Sequence, residues 1–256
     1  MAGDGLVDER SATRTFRFHT VARTHVGTVR ALNEDAYLDR SDAGLWAVAD
    51  GMGGHHAGDV ASRTLVEMLD AAVEAEGGPP GAARVVAALR DCNTALRRLA
   101  ASQDEQVIGC TAVVLSIEGP RYDCAWAGDS RLYLLRGDGL WQVTRDHSYV
   151  QDLVDRGEIG AEDAERHPHA NIVTRAVGAA PQLVPECVGG EVRDGDVFLL
   201  CSDGLTKALG EARLAATLAG MAPPHAADEL VREALEAGAR DNLTLVLVRC
   251  EAVARR

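Results

Sequence analysis

The chain has 256 residues, with 26 Lys+Arg against 39 Asp+Glu for a formal net charge of −13, and it is 46% hydrophobic and 25% charged. Those proportions belong to a globular protein able to bury a sizeable core, as one large domain or two small ones, and they exclude a disordered chain. The acidic balance and the lack of any Lys/Arg run argue against nucleic acid or an anionic membrane surface as partner, and no apolar stretch approaches the roughly 20 residues of a membrane span.

The polar first residues, Met1 to Arg14, read as a disordered tail over about residues 1–15 without the apolar block of a signal peptide, so the expected location is cytoplasmic. Strand-like segments follow at Phe16 to Val26, Ala36 to Asp39 and Leu45 to Ala49. Two helices are predicted over Ala57 to Ala75 and Ala82 to Ala101, parted by the helix-stopping Gly77-Gly78-Pro79-Pro80-Gly81. Val60, Leu65, Met68, Leu69, Ala72 and Val73 recur at helical spacing and predict one buried face. Strands return at Val107 to Ile117, Tyr122 to Ala127, Arg131 to Leu135 and Leu140 to Val143, with Asp138-Gly139 signalling a tight hairpin in an antiparallel meander. The more polar stretch from Ser148 to Pro185 reads as an inserted excursion with short helices at Tyr149 to Arg156 and Ala161 to Arg166. A strand at Val197 to Ser202, helices at Glu211 to Ala219 and His225 to Ala237, and a closing strand at Leu243 to Cys250 complete the order. Strands in blocks with paired helices between them predict an α+β layered sandwich. Six scattered cysteines without a CxxC pair read as reduced thiols, mostly small core hydrophobes.

Four acidic residues share one local context, each flanking a short apolar run that predicts a buried strand. Asp50 follows Leu45 to Ala49, Asp129 follows Ala125 to Gly128, Asp203 follows Phe198 to Ser202, and Asp241 precedes Leu243 to Val248. Asn33-Glu34-Asp35 precedes a shorter strand. If these strand ends converge, the carboxylates raise one another's pKa and destabilise the fold unless cations neutralise them. Oxygen ligands without Cys or His suit the hard cations Mg²⁺ and Mn²⁺. Gly51 and Gly204 leave room for a tight turn and for a carbonyl to reach a metal, although each Asp-Gly pair read alone is a turn former. Arg30 could bind a phosphate bidentately or be a solvated arginine.

The string Arg30-Ala31-Leu32-Asn33-Glu34-Asp35-Ala36, followed by Ala49-Asp50-Gly51-Met52-Gly53-Gly54-His55-His56-Ala57-Gly58, resembles the opening motifs of the metal-dependent type 2C serine/threonine protein phosphatases of bacterial type. Gly109-Cys110-Thr111-Ala112, Ala127-Gly128-Asp129-Ser130-Arg131, Thr144 to Ser148, Thr174 to Gly178, Ser202 to Thr206 and Asp241-Asn242-Leu243-Thr244 continue that family's series in order, over about residues 16 to 250. The resemblance implies a four-layer α-β-β-α sandwich of two mainly antiparallel sheets flanked by helices. It implies a single phosphatase domain over 16–252, with a mobile flap at about 148–185 that would contact protein substrates. It implies two Mn²⁺ or Mg²⁺ ions, with Asp50 bridging them, the Gly51 carbonyl on one, and Asp203 and Asp241 on the other. Glu34 would act directly or through water, Asp35 and Asn242 would support the site, Asp129 with Asp203 would offer a third, weaker metal position, and Arg30 would grip the phosphate. Animal members carry a histidine after the Asp-Gly pair as general acid; Met52 stands there in this chain, as in bacterial members. His55 and His56 lie near, as acid candidates or as helix-start packing residues.

A water activated between two ions would hydrolyse phosphoserine and phosphothreonine in proteins. The expected partners are phosphorylated proteins, including a serine/threonine kinase whose action the enzyme reverses. The reading from another class is a catalytically weak phosphoprotein-binding module of the same fold, whose signature would be loss of one of the four aspartates; none is lost. Cys92 to Arg98 spells C-x5-R but lacks a glycine-rich phosphate loop and falls in a predicted helix. A dinucleotide reading of Gly51 to His56 fails at its third glycine, which is His56. The remaining histidines form no ligand set, and Trp46 and Trp126 read as core anchors.

Overall fold

Side chains along an extended strand alternate between its two faces, so a strand apolar on both faces is covered on both. In Leu45–Gly53, residues Leu45, Ala47 and Ala49 face one apolar cluster while Trp46 and Val48 face another. That double coverage runs through the computed structural model, which describes residues 15–53, 57–103 and 107–253. The expected tail up to Arg14, and His55 and His56, lie outside the described residues; Thr15 already opens the first strand.

The elements in chain order are β1 (Thr15–His25), β2 (Asp35–Arg40), β3 (Leu45–Gly53), α1 (Ala57–Glu76), α2 (Ala82–Ser102), β4 (Ile108–Cys110), β5 (Ala112–Glu118), β6 (Arg121–Ala127), β7 (Arg131–Arg136) and β8 (Gly139–Gln142). They continue with α3 (Tyr149–Asp155), α4 (Ala161–Ala164), β9 (Glu186–Glu191), β10 (Val197–Cys201), α5 (Asp203–Ala208), α6 (Glu211–Gly220), α7 (Pro223–Glu236) and β11 (Leu243–Val253). One sheet has the order β1-β11-β10-β7-β8 and the other β2-β3-β5-β6-β9, with β4 added to the end of β3. Every pairing between them is antiparallel.

Three apolar clusters define four layers, as the α+β sandwich reading requires. Leu65, Leu69 and Leu89 of α1 and α2 pack on Ala47, Ala112 and Val114. Trp46, Val113, Leu115, Phe198, Leu200 and Val246 fill the space between the sheets. Leu205, Leu214 and Leu230 of α5, α6 and α7 cover Leu199, Leu245 and Leu247. Trp46 and Phe198 are fully buried, and truncating either to alanine costs about 3–5 kcal/mol. Trp126 is also buried, as are five of the six free cysteines; Cys187 is exposed. No helix among the described residues is long and apolar enough to cross a membrane.

Between Val107 and Val143 two details differ from the sequence reading. The segment Val107 to Ile117 is two strands, because Thr111 leaves the ladder to bond Asp50 instead. The meander is two hairpins on different sheets: β5 pairs β6, the chain crosses at Gly128, and β7 pairs β8. Gly128 has φ +120, a conformation open to glycine but strained for other residues. The tight hairpin between β7 and β8 is present, with Gly137 and Asp138 at its tip.

Candidate active site

Both sheets bring strand ends to the same edge, where Asp35 of β2 lies opposite Asp50 of β3. Asp203 opens α5 directly after β10, Asp241 precedes β11, and Asp129 sits in the crossing between β6 and β7. The expected convergence is therefore present. Arg30, Glu34, Asp50, Gly51, Asp129, Asp203, Asp241 and Asn242 line one cleft of about 360 Å³. Asp35 lies behind it, its Oδ2 accepting from the Ser202 hydroxyl at 2.8 Å.

Neither Asp-Gly pair forms a turn, contrary to the turn reading. Asp50 and Gly51 lie inside β3, which runs on to pair Gly51 with Cys110 of β4. A Cβ on Gly51 would stand 2.0 Å from the Gly58 carbonyl oxygen and 2.7 Å from that of Glu34. The missing side chain lets α1 and the Glu34 backbone close on the strand. Asp203 and Gly204 begin a helix, and a Cβ on Gly204 would meet the Asn242 carbonyl oxygen at 2.0 Å.

Hydrogen bonds brace the carboxylates from behind. Thr111 donates its N–H to the Asp50 carbonyl at 2.8 Å and accepts the Asp50 N–H on Oγ1 at 2.9 Å. The Ser130 hydroxyl lies 2.7 Å from that same Oγ1. Asn242 accepts the Glu34 N–H at 2.8 Å and donates to the carbonyls of Val26 and Leu32, both at 2.9 Å. His147, read only as part of no ligand set, is buried; its Nδ1 accepts the Gly128 N–H at 3.1 Å and its ring stacks on Trp126 at 5.9 Å. It holds the turn that presents Asp129.

Burial, followed by the charges of Asp35, Asp203, Asp129 and Asp241, pushes the Asp50 carboxyl well above the usual range. Burial lifts Asp35 to about 7, against the pull of the Thr244 and Ser202 hydroxyls. Burial and the Asp203 charge lift Asp129 to about 7, with Lys207 opposing. Asp35 Oδ1 and Asp203 Oδ1 are buried without a hydrogen-bond partner, a costly condition for a carboxylate.

Two cations face this surplus. Arg30 Nη2 donates to Asp241 Oδ2 at 2.8 Å, which puts the guanidinium on the acidic rim. Lys207, which the sequence reading missed, donates to Asp203 Oδ2 and, at 2.7 Å, to Asn171 Oδ1 of the inserted excursion. With Asp203 and Asp241 turned to these cations, no three His, Cys, Asp or Glu side chains among the described residues converge tightly enough to enclose one ion as they stand. The donor set nevertheless fits hard divalent cations: it is all oxygen, two of its oxygens are orphaned, and burial beside other carboxylates holds the Asp50 carboxyl well above the usual range. Cys92 is buried within α2, where its thiol cannot serve a phosphate loop.

A two-sheet sandwich with an acidic cleft across its strand ends is the architecture of a class of phosphatase catalytic domains. The family model Protein phosphatase 2C matches residues 24–238. The serine/threonine protein phosphatase PstP of Mycobacterium tuberculosis is 37% identical over 227 residues, 88% of this chain and 44% of the relative, so the chain spans less than half of that relative's length. The structure of PppA, described as a key regulatory component of T6SS in Pseudomonas aeruginosa, is 41% identical with a TM-score of 0.82, covering 92% of this chain and 98% of that one. The catalytic domain of PstP in complex with 2 manganese ions is 35% identical with a TM-score of 0.84, covering 93% and 100%. The chain belongs to the protein phosphatase 2C family, a family of metal-dependent serine/threonine protein phosphatases.

Proposed function

We propose that this protein hydrolyses phosphoserine and phosphothreonine in proteins with two Mn²⁺ or Mg²⁺ ions held in the cleft, acting in the cytoplasm against a serine/threonine kinase. The observation that carries this reading is the surplus of buried carboxylate at one sheet edge, with Asp35 Oδ1 and Asp203 Oδ1 orphaned. Asp50, the Gly51 carbonyl, Asp203 and Asp241 would hold the ions, with Glu34 contributing directly or through water. When bound, such ions lower the pKa of water and neutralise phosphoryl oxygens.

The chain's own residues do the remainder. Thr111 fixes the Asp50 main chain with two hydrogen bonds, so its carboxyl projects from a braced strand. Asn242 ties Glu34 to the start of β11, and the Ser202 hydroxyl orients Asp35 behind Asp50. Arg30 is half-exposed at the rim, where its fork can turn from Asp241 to a phosphate dianion. The inserted excursion borders the same cleft through Asn171 and Val173, which supports a contact there with the protein part of the substrate.

The test is release of phosphate from a phosphothreonine peptide. Turnover with Mn²⁺ or Mg²⁺ that stops in excess EDTA is expected. Equal turnover in EDTA contradicts the reading, and tight peptide binding without turnover under any metal points to a binding module.

A further inference from the structure

Lys207 lies one helical turn after Asp203 on α5, with Nζ on Asp203 Oδ2 and 2.7 Å from Asn171 Oδ1. It lines the carboxylate cleft and also the small neighbouring cavity that contains Asp129 and Asp203. Its ammonium therefore occupies one oxygen of Asp203 in the cavity that Asp129 also lines, where the two carboxylates would otherwise be free to share a further cation.

We propose that Lys207 is the resident cation of the Asp129–Asp203 position, so that this domain holds two divalent ions and admits a third there only by displacing the Lys207 ammonium. The inference rests on the metal-site reading above. Asn171 Oδ1 accepts from the same ammonium at 2.7 Å, linking the inserted excursion to the same point.

The experiment is uptake of Mn²⁺ alone by the whole chain, measured by equilibrium dialysis and titration calorimetry without substrate. Wild type should bind two ions. Lys207→Met should bind three, the third at least about tenfold tighter than any weak binding on wild type; Lys207→Arg, which keeps the charge, should stay at two. Adding Asp129→Asn to Lys207→Met should return the count to two. If Lys207→Met does not fold by circular dichroism, Lys207→Gln carries the same test. Equal uptake by wild type and the neutral variant overturns the role of Lys207 while leaving the metal site standing. No uptake by any form overturns the metal site and this inference together.

Discussion

Carboxylates crowd two regions of this molecule, the solvent face of α6 and α7 and the cleft at the sheet edge, and the fold treats them oppositely. On the helices, Arg232 bonds Glu229 at 2.6 Å and Glu236 at 2.6 Å, and Arg213 bonds Glu233. The Arg232 hydrogen bond holds Glu229 below the usual carboxylate range. In the cleft the arginine supply stops at Arg30, and Asp35, Asp50 and Asp129 are all pushed up. The same residue types make a self-neutralised surface in one place and an unmet demand for positive charge in the other. Local acidity alone is therefore uninformative; what marks a cation site is buried carboxylate for which the fold supplies too few bases.

The comparison can be broken or sharpened by experiment. The largest effect is expected for Asp50→Asn or Asp203→Asn, each lowering phosphopeptide turnover at least about 100-fold; wild-type rates in both would move the site elsewhere. Next is Gly51→Ala, whose methyl group must displace the Gly58 carbonyl. Overpacking of this kind costs about 1–3 kcal/mol, and the melting temperature should fall by roughly 5 °C or more.

A third effect concerns pH. In EDTA, Asp35 and Asp129, lifted to about 7, keep their protons in the fold where unfolded aspartates, near about 3.9, have lost theirs. The folded state then binds more protons between about pH 4 and 7, so stability is fully present at the acid end and lost as pH rises through the folded values. The melting temperature in EDTA should drop by several degrees between pH 5.5 and 8, and Mn²⁺ at pH 8 should restore it. A rise over that range would contradict the crowding argument. The smallest effect is Arg213→Ala on the helix face, which should leave both turnover and melting temperature unchanged within error.

Much of this was legible from residue pattern. The unbroken apolar runs Leu45 to Ala49 and Phe198 to Cys201 announce strands covered on both faces, and the repeated pairing of an apolar run with an aspartate marks the sheet edge. Lys207 and Asn171 were not legible because Asp203-Gly204 reads locally as a turn. Ser202 conceals the helix start, since its hydroxyl bonds Asp35 and caps nothing. Had a helix been expected there, Asp203 and Lys207 at i and i+4 would have been the signal. Strand β9 escaped because Gly189 and Gly190 carry no side chains to alternate, and it pairs only at the edge of its sheet.

The most direct measurement is anomalous X-ray diffraction at the manganese edge from crystals grown with MnCl₂. Two peaks about 3.5–4 Å apart, flanked by Asp50, Asp203 and Asp241, are the predicted result. A cleft without anomalous signal, or manganese bound only at the paired carboxylates of α7, would contradict the account.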